Sequence, residues 1–343
     1  MRKRKLGRTD LQVSELCLDT NGFGWSLDAE AAFSLLDGFR QAGGNFIQFN
    51  AHSALDAIDP AAAGVAESIV GRWSRERGIL RGDLVLTSCL QLPAPHAGWS
   101  YFRIAAAIRE HCERVLQRLQ SPHLDLLLLR WTESLPVDET LVAVESLARA
   151  GLFRHLGCCA FPAWRTMEWN GHATRRQLSR LAAAQIEVPF AHDLGSWREC
   201  LELAREQSLG LVVRPPFLTA GDTGPASAAP ARPIPVNDAT STELLRIARE
   251  RGQPPQRVAL AWTLADPAVS AALVPADMPG ALETIRTTGD LELAFDEVLR
   301  VSRPERFGFA STHSLRPGAA LVAEPALPPA NGYAFSTSNS PAS

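Results

Sequence analysis

The sequence predicts an α/β fold, a (β/α)8 barrel with an N-terminal β-hairpin and an irregular C-terminal tail. Eight short apolar runs alternate with eight segments of helical periodicity between residues 15 and 287. The runs are apolar almost throughout, which is typical of parallel strands covered on both faces. Several of them end on polar residues, as the runs before Asn50 and Arg130 do. Strand ends form the functional face of such a barrel. A doubly wound open sheet is the alternative fold for the same alternation.

The elements follow from these patterns in chain order. The hairpin is predicted over residues 2–14, where Gly7 to Asp10 supply the turn between two short strands. The predicted strands are 15–19, 45–48, 83–88, 124–129, 153–158, 184–188, 210–214 and 271–275. The predicted helices are 28–42, 62–79, 103–120, 138–150, 163–183, 197–208, 240–252 and 279–287.

Two regions are predicted, the barrel over residues 1–302 and a tail over residues 303–343. The tail is rich in Pro, Ala and Ser and has neither helical nor strand periodicity. This composition is typical of disordered segments, because it offers no apolar face to bury.

Charge and composition narrow the classes of partner and compartment. The 343 residues carry a formal net charge of −3, which argues against nucleic acid and anionic membranes as partners. No apolar stretch reaches the roughly 18 residues needed to span a bilayer, and the basic N-terminus lacks the apolar region of a secretory signal. The six cysteines include no C-x-x-C pair. We therefore expect a cytoplasmic protein with free thiols and no metal site.

Several segments carry, in order, the pattern of a known enzyme family. Residues 4–9 read R-K-L-G-R-T, residues 45–53 read N-F-I-Q-F-N-A-H-S, residues 147–157 read L-A-R-A-G-L-F-R-H-L-G, and residues 255–262 read P-Q-R-V-A-L-A-W. Over about residues 3–300, the chain resembles the aldo-keto reductases. The resemblance implies a (β/α)8 barrel whose relatives reduce carbonyl groups with hydride from NADPH.

The resemblance also implies four catalytic positions, which in the family hold Asp, Tyr, Lys and His. Here they hold Gln48, Ser53, Cys89 and Arg130. A serine hydroxyl with no neighbouring cation has a pKa too high for general acid catalysis. Lysine occurs only at Lys3 and Lys5, and no tyrosine precedes Tyr101, so no shift of the alignment restores the family's Tyr–Lys pair.

The cofactor-binding positions implied by the resemblance are altered as well. Gln185 matches the glutamine that binds the nicotinamide amide and is the remnant of this site. Arg214 replaces a stacking aromatic residue, and Asp277 lies where a phosphate-binding segment is expected. A carboxylate repels a phosphate. We expect no bound cofactor, with NADPH held weakly if at all.

Polar residues near the predicted strand ends are the candidate ligand-binding residues. They are Asp19, Asn50, Arg130, Trp131, Gln185 and Arg214. In one interpretation, Arg130 forms a buried ion pair with Asp19, or secondarily with Glu187, and the pair plugs the site. In the other, Arg130 and Arg214 clamp a carboxylate or phosphate beside Trp131.

Two further side chains are candidates for chemistry. His52 is the candidate catalytic group, because imidazole titrates near neutral pH. Cys89 is either a nucleophile activated by Arg130 or an inert core thiol, and the inert thiol is favoured.

These observations predict an aldo-keto reductase-like barrel that has lost its hydride-transfer machinery. The expected role is non-redox binding of a small molecule or of a protein partner. One alternative is a lyase, isomerase or cyclase acting on an anionic small molecule, and another is a weak NAD(P)H-dependent oxidoreductase. Whether the protein is an enzyme stays open at this point.

Overall fold

A computed structural model describes residues 1–50, 64–92, 100–132, 135–187, 194–215, 239–278 and 280–303. Eight parallel strands close into a barrel in the order β10-β3-β4-β5-β6-β7-β8-β9. The strands are β3 (Leu16–Asp19), β4 (Phe46–Asn50), β5 (Val85–Leu90), β6 (Leu124–Arg130), β7 (Phe153–Cys159), β8 (Ala183–Glu187), β9 (Gly210–Arg214) and β10 (Val269–Pro275). The predicted (β/α)8 fold is therefore confirmed, with all eight strands close to their predicted positions.

Ten α-helices lie within the described ranges. They are α1 (Ala29–Gln41), α2 (Val65–Glu76), α3 (Tyr101–Leu119), α4 (Val137–Arg149), α5 (Ala163–Arg175), α6 (Leu194–Gln207), α7 (Ala239–Arg251), α8 (Pro255–Ala265), α9 (Ala281–Arg286) and α10 (Phe295–Ser302). Two helix starts carry side-chain caps. Asp28 Oδ1 accepts from the backbone N–H of Ala31 at 2.9 Å at the start of α1, and Ser100 Oγ accepts from the backbone N–H of Arg103 at 3.4 Å at the start of α3.

Three helix predictions were wrong in extent or were missing. The helix predicted over 163–183 ends at Arg175, because the chain turns at Gln177, whose φ of 55° is left-handed, and then enters β8. Helices α8 and α10 were not predicted. Helix α8 is buried on much of its surface, so its sequence carries little amphipathic signal.

The apolar residues form two clusters. The larger cluster lies between the strands and the surrounding helices, with Trp73, Trp169 and Phe39 among its fully buried side chains. The smaller cluster fills the barrel interior and includes Phe46, Leu126 and other inward-facing residues of the strands. The two clusters follow from the strand period of two, because alternate residues face the helices and the interior.

The N-terminal hairpin closes one end of the barrel. It consists of β1 (Lys3–Lys5) and β2 (Gln12–Ser14), paired antiparallel, as predicted. Leu6, Leu11 and Val13 belong to the interior cluster, and the backbone N–H of Arg8 bonds the carbonyl of Ser208 just before β9. The hairpin therefore seals the N-terminal ends of the strands, called the base below, and the C-terminal ends are called the mouth.

The chain separates into two units, Met1–Phe309 and Ala310–Ser343. The second unit lies outside the described residues, so the predicted disorder of residues 303–343 stays a prediction. Within the described ranges, no helix has the length and apolarity to cross a bilayer.

Candidate ligand site at the barrel mouth

The strand period places one set of polar side chains inside the mouth. Cys89 and Cys159 belong to the interior cluster, and Arg130 pairs in register with Cys159 across β6 and β7. Cys159 in turn pairs in register with Gln185 on β8. Counting in steps of two from the interior residues of β3 and β9 puts Asp19 and Arg214 on the same inner face.

Asp19 is the centre of a polar network on one side of the mouth. Its carboxylate is 1% exposed and accepts hydrogen bonds from Asn50 Nδ2 at 3.0 Å and from the Asn21 backbone N–H at 3.2 Å. Arg214 Nη2 donates to Asp19 Oδ2 at 3.0 Å. Gln48 Nε2 extends the network by donating to Asn50 Oδ1 at 3.0 Å. Four of the predicted site residues, Asp19, Gln48, Asn50 and Arg214, are thus brought together.

The predicted ion pair between Asp19 and Arg130 is wrong for the described residues, because Asp19 pairs with Arg214 instead. The closed strand order explains this. Strand β9 is separated from β3 only by β10, whereas β4 and β5 lie between β3 and β6. The alternative prediction, that Arg130 and Arg214 together clamp an anion, also needs correction, because Arg214 already forms an ion pair with Asp19.

Arg130 lies on the other side of the mouth and is exposed. Among the described residues it forms no ion pair, and its Nη1 lies 3.9 Å from Cys159 Sγ. A guanidinium stays charged at every physiological pH. The mouth therefore presents one positive charge with no described carboxylate beside it.

Cys89 and Cys159 are both buried at 2–3% exposure, and their thiols are within hydrogen-bonding contact. This contact and burial raise the pKa of Cys89 well above its usual value, although Arg130 acts in the opposite direction. A protonated thiol is a poor nucleophile. The geometry therefore favours the inert-thiol interpretation of Cys89.

Three buried polar atoms inside the barrel have no hydrogen-bond partner among the described residues. They are Gln48 Oε1, Thr87 Oγ1 and Gln185 Oε1. Buried polar atoms without partners are costly, at roughly 1–3 kcal/mol each. Such atoms are characteristic of a site that completes its hydrogen bonds with water or a ligand.

Trp131 does not line the interior. Its ring packs against the outer cluster and makes edge-on contacts with Phe161 at 5.5 Å and Trp164 at 5.9 Å. Arg165 lies over the Trp131 ring at 5.0 Å. The prediction that Trp131 forms an apolar wall of the site beside Arg130 is therefore wrong. Trp131 packs on the helix side of the strand end, because successive residues of a strand face opposite sides.

The remaining predicted groups cannot be placed. His52 and Ser53 lie outside the described residues, and so does the side chain of Glu187. Conversely, sequence reasoning omitted Asn21, Thr87 and Cys159 from the site. Counting in steps of two from Cys89 would have found Thr87, and strand order would have set Cys159 beside Arg130.

Asp277, which follows β10, borders the Asp19 side of the mouth. Its Oδ2 accepts from Ser26 Oγ at 3.2 Å. Burial raises the pKa of Asp277, and the nearby Asp19 carboxylate adds to the effect. This position carries negative rather than positive charge.

Comparison with known proteins establishes the family to which the chain belongs. A profile of the Aldo/keto reductase family matches residues 15–303. The chain belongs to the aldo/keto reductase family. It is 30% identical over 311 residues to an uncharacterized oxidoreductase, YrpG, of Bacillus subtilis, covering 86% of this chain and 93% of that protein.

Two further aldo/keto reductase relatives are fungal. Norsolorinic acid reductase B of Aspergillus parasiticus is 25% identical, covering 94% of this chain and 88% of that protein. An aryl-alcohol dehydrogenase of Pestalotiopsis microspora is 26% identical, covering 74% of this chain and 69% of that protein. The family and the oxidoreductase names of these relatives favour redox chemistry more than the sequence alone did.

Proposed function

We propose that this member of the aldo/keto reductase family binds a small anionic molecule at its mouth and is not a conventional NADPH-dependent carbonyl reductase. One observation carries the second half of the proposal. The two lysines of the sequence, Lys3 and Lys5, lie on the hairpin strand β1 at the base of the barrel. Neither can lower the pKa of a proton donor at the mouth, because the whole barrel interior separates them from it.

The placement of tyrosine supports the same conclusion. Tyr101 opens helix α3, and its hydroxyl bonds Ser146 Oγ of α4 at 3.4 Å, between two outer helices. Tyr333, the second tyrosine of the sequence, lies outside the described residues. Among the positions equated with the family's catalytic residues, Gln48 holds an amide that does not ionise, and the contact with Cys159 and burial raise the pKa of the Cys89 thiol well above its usual value. Arg130 holds a guanidinium in place of an imidazole, and Ser53 lies outside the described residues.

The positive charge of Arg130 supports an anionic ligand. The guanidinium is exposed at the mouth, it forms no ion pair with a described carboxylate, and Gln185 Oε1 nearby on β8 offers a buried acceptor. Arginine binds carboxylate and phosphate through paired N–H groups. A small anion that also carries a hydrogen-bond donor would match both groups.

The residues fit a nicotinamide cofactor only in part. The buried Gln185 Oε1 could accept from a carboxamide, as the family resemblance implies. Asp277 lies where the resemblance implies a phosphate-binding segment, and its carboxylate would repel a phosphate of NADPH. We therefore derive no catalytic step through NADPH.

The first test compares Arg130→Gln with Arg109→Gln, an exposed arginine of the outer helix α3 that pairs with Glu113 at 3.6 Å. Phosphate, acetate and lactate are titrated into each protein by calorimetry. Arg130→Gln should weaken the binding of the tightest-binding anion at least tenfold, and Arg109→Gln should leave that affinity unchanged. Equal affinities in all three proteins, or no binding by the unaltered chain, would contradict anion binding.

The second candidate function is that of an NAD(P)H-dependent oxidoreductase, which would bind its cofactor through residues other than those usual in the family. The names of the relatives, reductase and dehydrogenase, favour it. Fluorescence titration with NADPH and with NADH, followed by assays with aldehydes and ketones, separates the two candidates. Turnover above background that disappears in a mouth variant would favour the oxidoreductase and overturn our proposal.

A further inference from the structure

Two thiols and one guanidinium form a second group inside the mouth, and anion binding does not depend on the thiols. Cys89 on β5 and Cys159 on β7 both point into the interior, from strands that are separated only by β6. Their thiols are in hydrogen-bonding contact, and Arg130 Nη1 lies 3.9 Å from the Cys159 sulfur. The two thiols therefore sit beside a fixed positive charge.

The backbone geometry argues against a disulfide between these cysteines. Strand β6 lies between β5 and β7, so the two chains are two strand spacings apart. At about 4.8 Å per spacing, this is roughly 9–10 Å along the sheet. A disulfide requires Cα atoms within about 7 Å. The sulfurs approach one another because both side chains point into the barrel interior.

We propose that Cys89 and Cys159 form a two-sulfur site for a monovalent soft metal ion, Cu(I), with Arg130 as its counter-charge. Thiolate sulfur is the ligand that Cu(I) prefers. In the described residues, including this site, no group of three or more Cys, His, Asp or Glu side chains is arranged for a metal ion. Zn²⁺ normally takes four such ligands in structural sites and three in catalytic sites, so the site suits an ion of low coordination number.

Charge balance distinguishes this pair from other buried thiols. Binding breaks two S–H bonds, forms two S–Cu bonds and releases two protons to solvent, with no change in oxidation state. The product, Cu(I) with two thiolates, carries one net negative charge. A buried charge needs a partner of opposite sign, and the guanidinium of Arg130 lies against one of the two sulfurs.

Neighbouring Cys158 supplies a matched control. It lies on the same strand and is equally buried, but its side chain faces the helices, where Sγ lies 3.8 Å from Thr166 Oγ1. It differs from Cys159 only in facing away from the interior. Cys158→Ser therefore removes a buried thiol without touching the proposed site.

The test titrates the full chain with Cu(I) under anaerobic conditions against a chromogenic Cu(I) chelator. The unaltered protein and Cys158→Ser should each withdraw one equivalent of Cu(I), and Cys89→Ser and Cys159→Ser should withdraw none. Arg130→Gln should weaken binding by about 10–100-fold, the usual effect of losing an outer partner of a metal site. Arg109→Gln should match the unaltered protein.

A spectroscopic readout protects the test against variants that do not fold. X-ray absorption at the copper edge of the unaltered protein should show two sulfur neighbours. Failure to compete with the chelator, persistence of binding in both single variants, or nitrogen and oxygen neighbours at copper would each overturn the proposal.

Discussion

The base and the mouth of the same barrel are filled by opposite chemistry. At the base, Leu6, Leu11 and Val13 of the hairpin pack on the apolar lower interior. At the mouth, the interior carries the charged pair Asp19–Arg214, the exposed Arg130, which pairs with no described carboxylate, and buried amide oxygens without described partners. Apolar packing stabilises a fold, whereas buried polar groups cost stability unless they are satisfied. The difference supports our proposal that the mouth binds a ligand, while the base maintains the barrel.

The largest expected effect is at the base. Leu6→Ala should lower the free energy of unfolding by about 2–5 kcal/mol, because Leu6 is fully buried and truncation leaves a cavity. Anion binding at the mouth should be unchanged. Urea denaturation measures the effect, with Leu80→Ala, 71% exposed, as the control. A loss below about 1 kcal/mol would show that the hairpin is not a packed seal.

A smaller effect on stability, with a gain in binding, is expected from Asp19→Asn. Arg214 would lose its carboxylate partner, which should cost about 1–3 kcal/mol of stability. The variant removes one negative charge from the mouth, so phosphate should bind more tightly. Calorimetry and denaturation measure both effects. Asp83→Asn, which removes an exposed acid 3.3 Å from Arg40, should change neither. Weaker phosphate binding by Asp19→Asn than by the unaltered chain would contradict the view that positive charge at the mouth binds anions.

Asp277→Asn should change the pH dependence of stability by a smaller amount. Burial raises the pKa of Asp277 in the folded chain above its usual 3.8, so the folded state binds this proton more tightly than the unfolded state. Stability from this group is therefore present below pH 3.8 and lost as pH rises through the higher folded pKa. The variant lacks this loss, so its stability relative to the unaltered chain should rise across that window. Melting temperatures between pH 3 and 7 test the sign, and the reverse trend would refute it.

The smallest effect is expected from removing the chain after Arg303. Residues 304–343 have no periodic apolar face in their sequence. The cut also preserves Ser302, whose carbonyl accepts from Arg198 at 2.8 Å and whose Oγ accepts from Trp262 Nε1 at 3.0 Å. Melting temperature and phosphate affinity should stay within error. A large drop in melting temperature would show that the tail stabilises the barrel, and a large drop in phosphate affinity would show that it contributes to binding.

The fold was predictable because its signal is repeated. Each strand is an apolar run, and eight such runs that alternate with eight helical segments are compatible with only a few fold topologies. The errors have local causes. Apolar Leu178 and Leu181 follow Arg175 and extend the helical pattern of α5, although the left-handed Gln177 already breaks the helix.

The site was predictable only in part, because sequence gives the residues at the mouth without their partners. Asp19 was correctly expected to need a cation, since a carboxylate buried alone is costly. Its partner was assigned to Arg130 rather than Arg214, and the choice depends on strand order around a closed barrel. The contact between Cys89 and Cys159 likewise joins strands that are not neighbours, and no spacing along the chain encodes it.

The hairpin at the base also constrains the order in which the molecule can assemble. Gly7, with a left-handed φ of 54°, lies so close to the start of β9 that a Cβ atom there would be 2.3 Å from the Gly210 nitrogen. The segment made first must therefore dock on strands made about two hundred residues later. At 5–20 residues per second, this is a delay of roughly 10–40 s during synthesis. Throughout that interval, Leu6, Leu11 and Val13 lack the complete barrel interior in which they are buried in the folded chain.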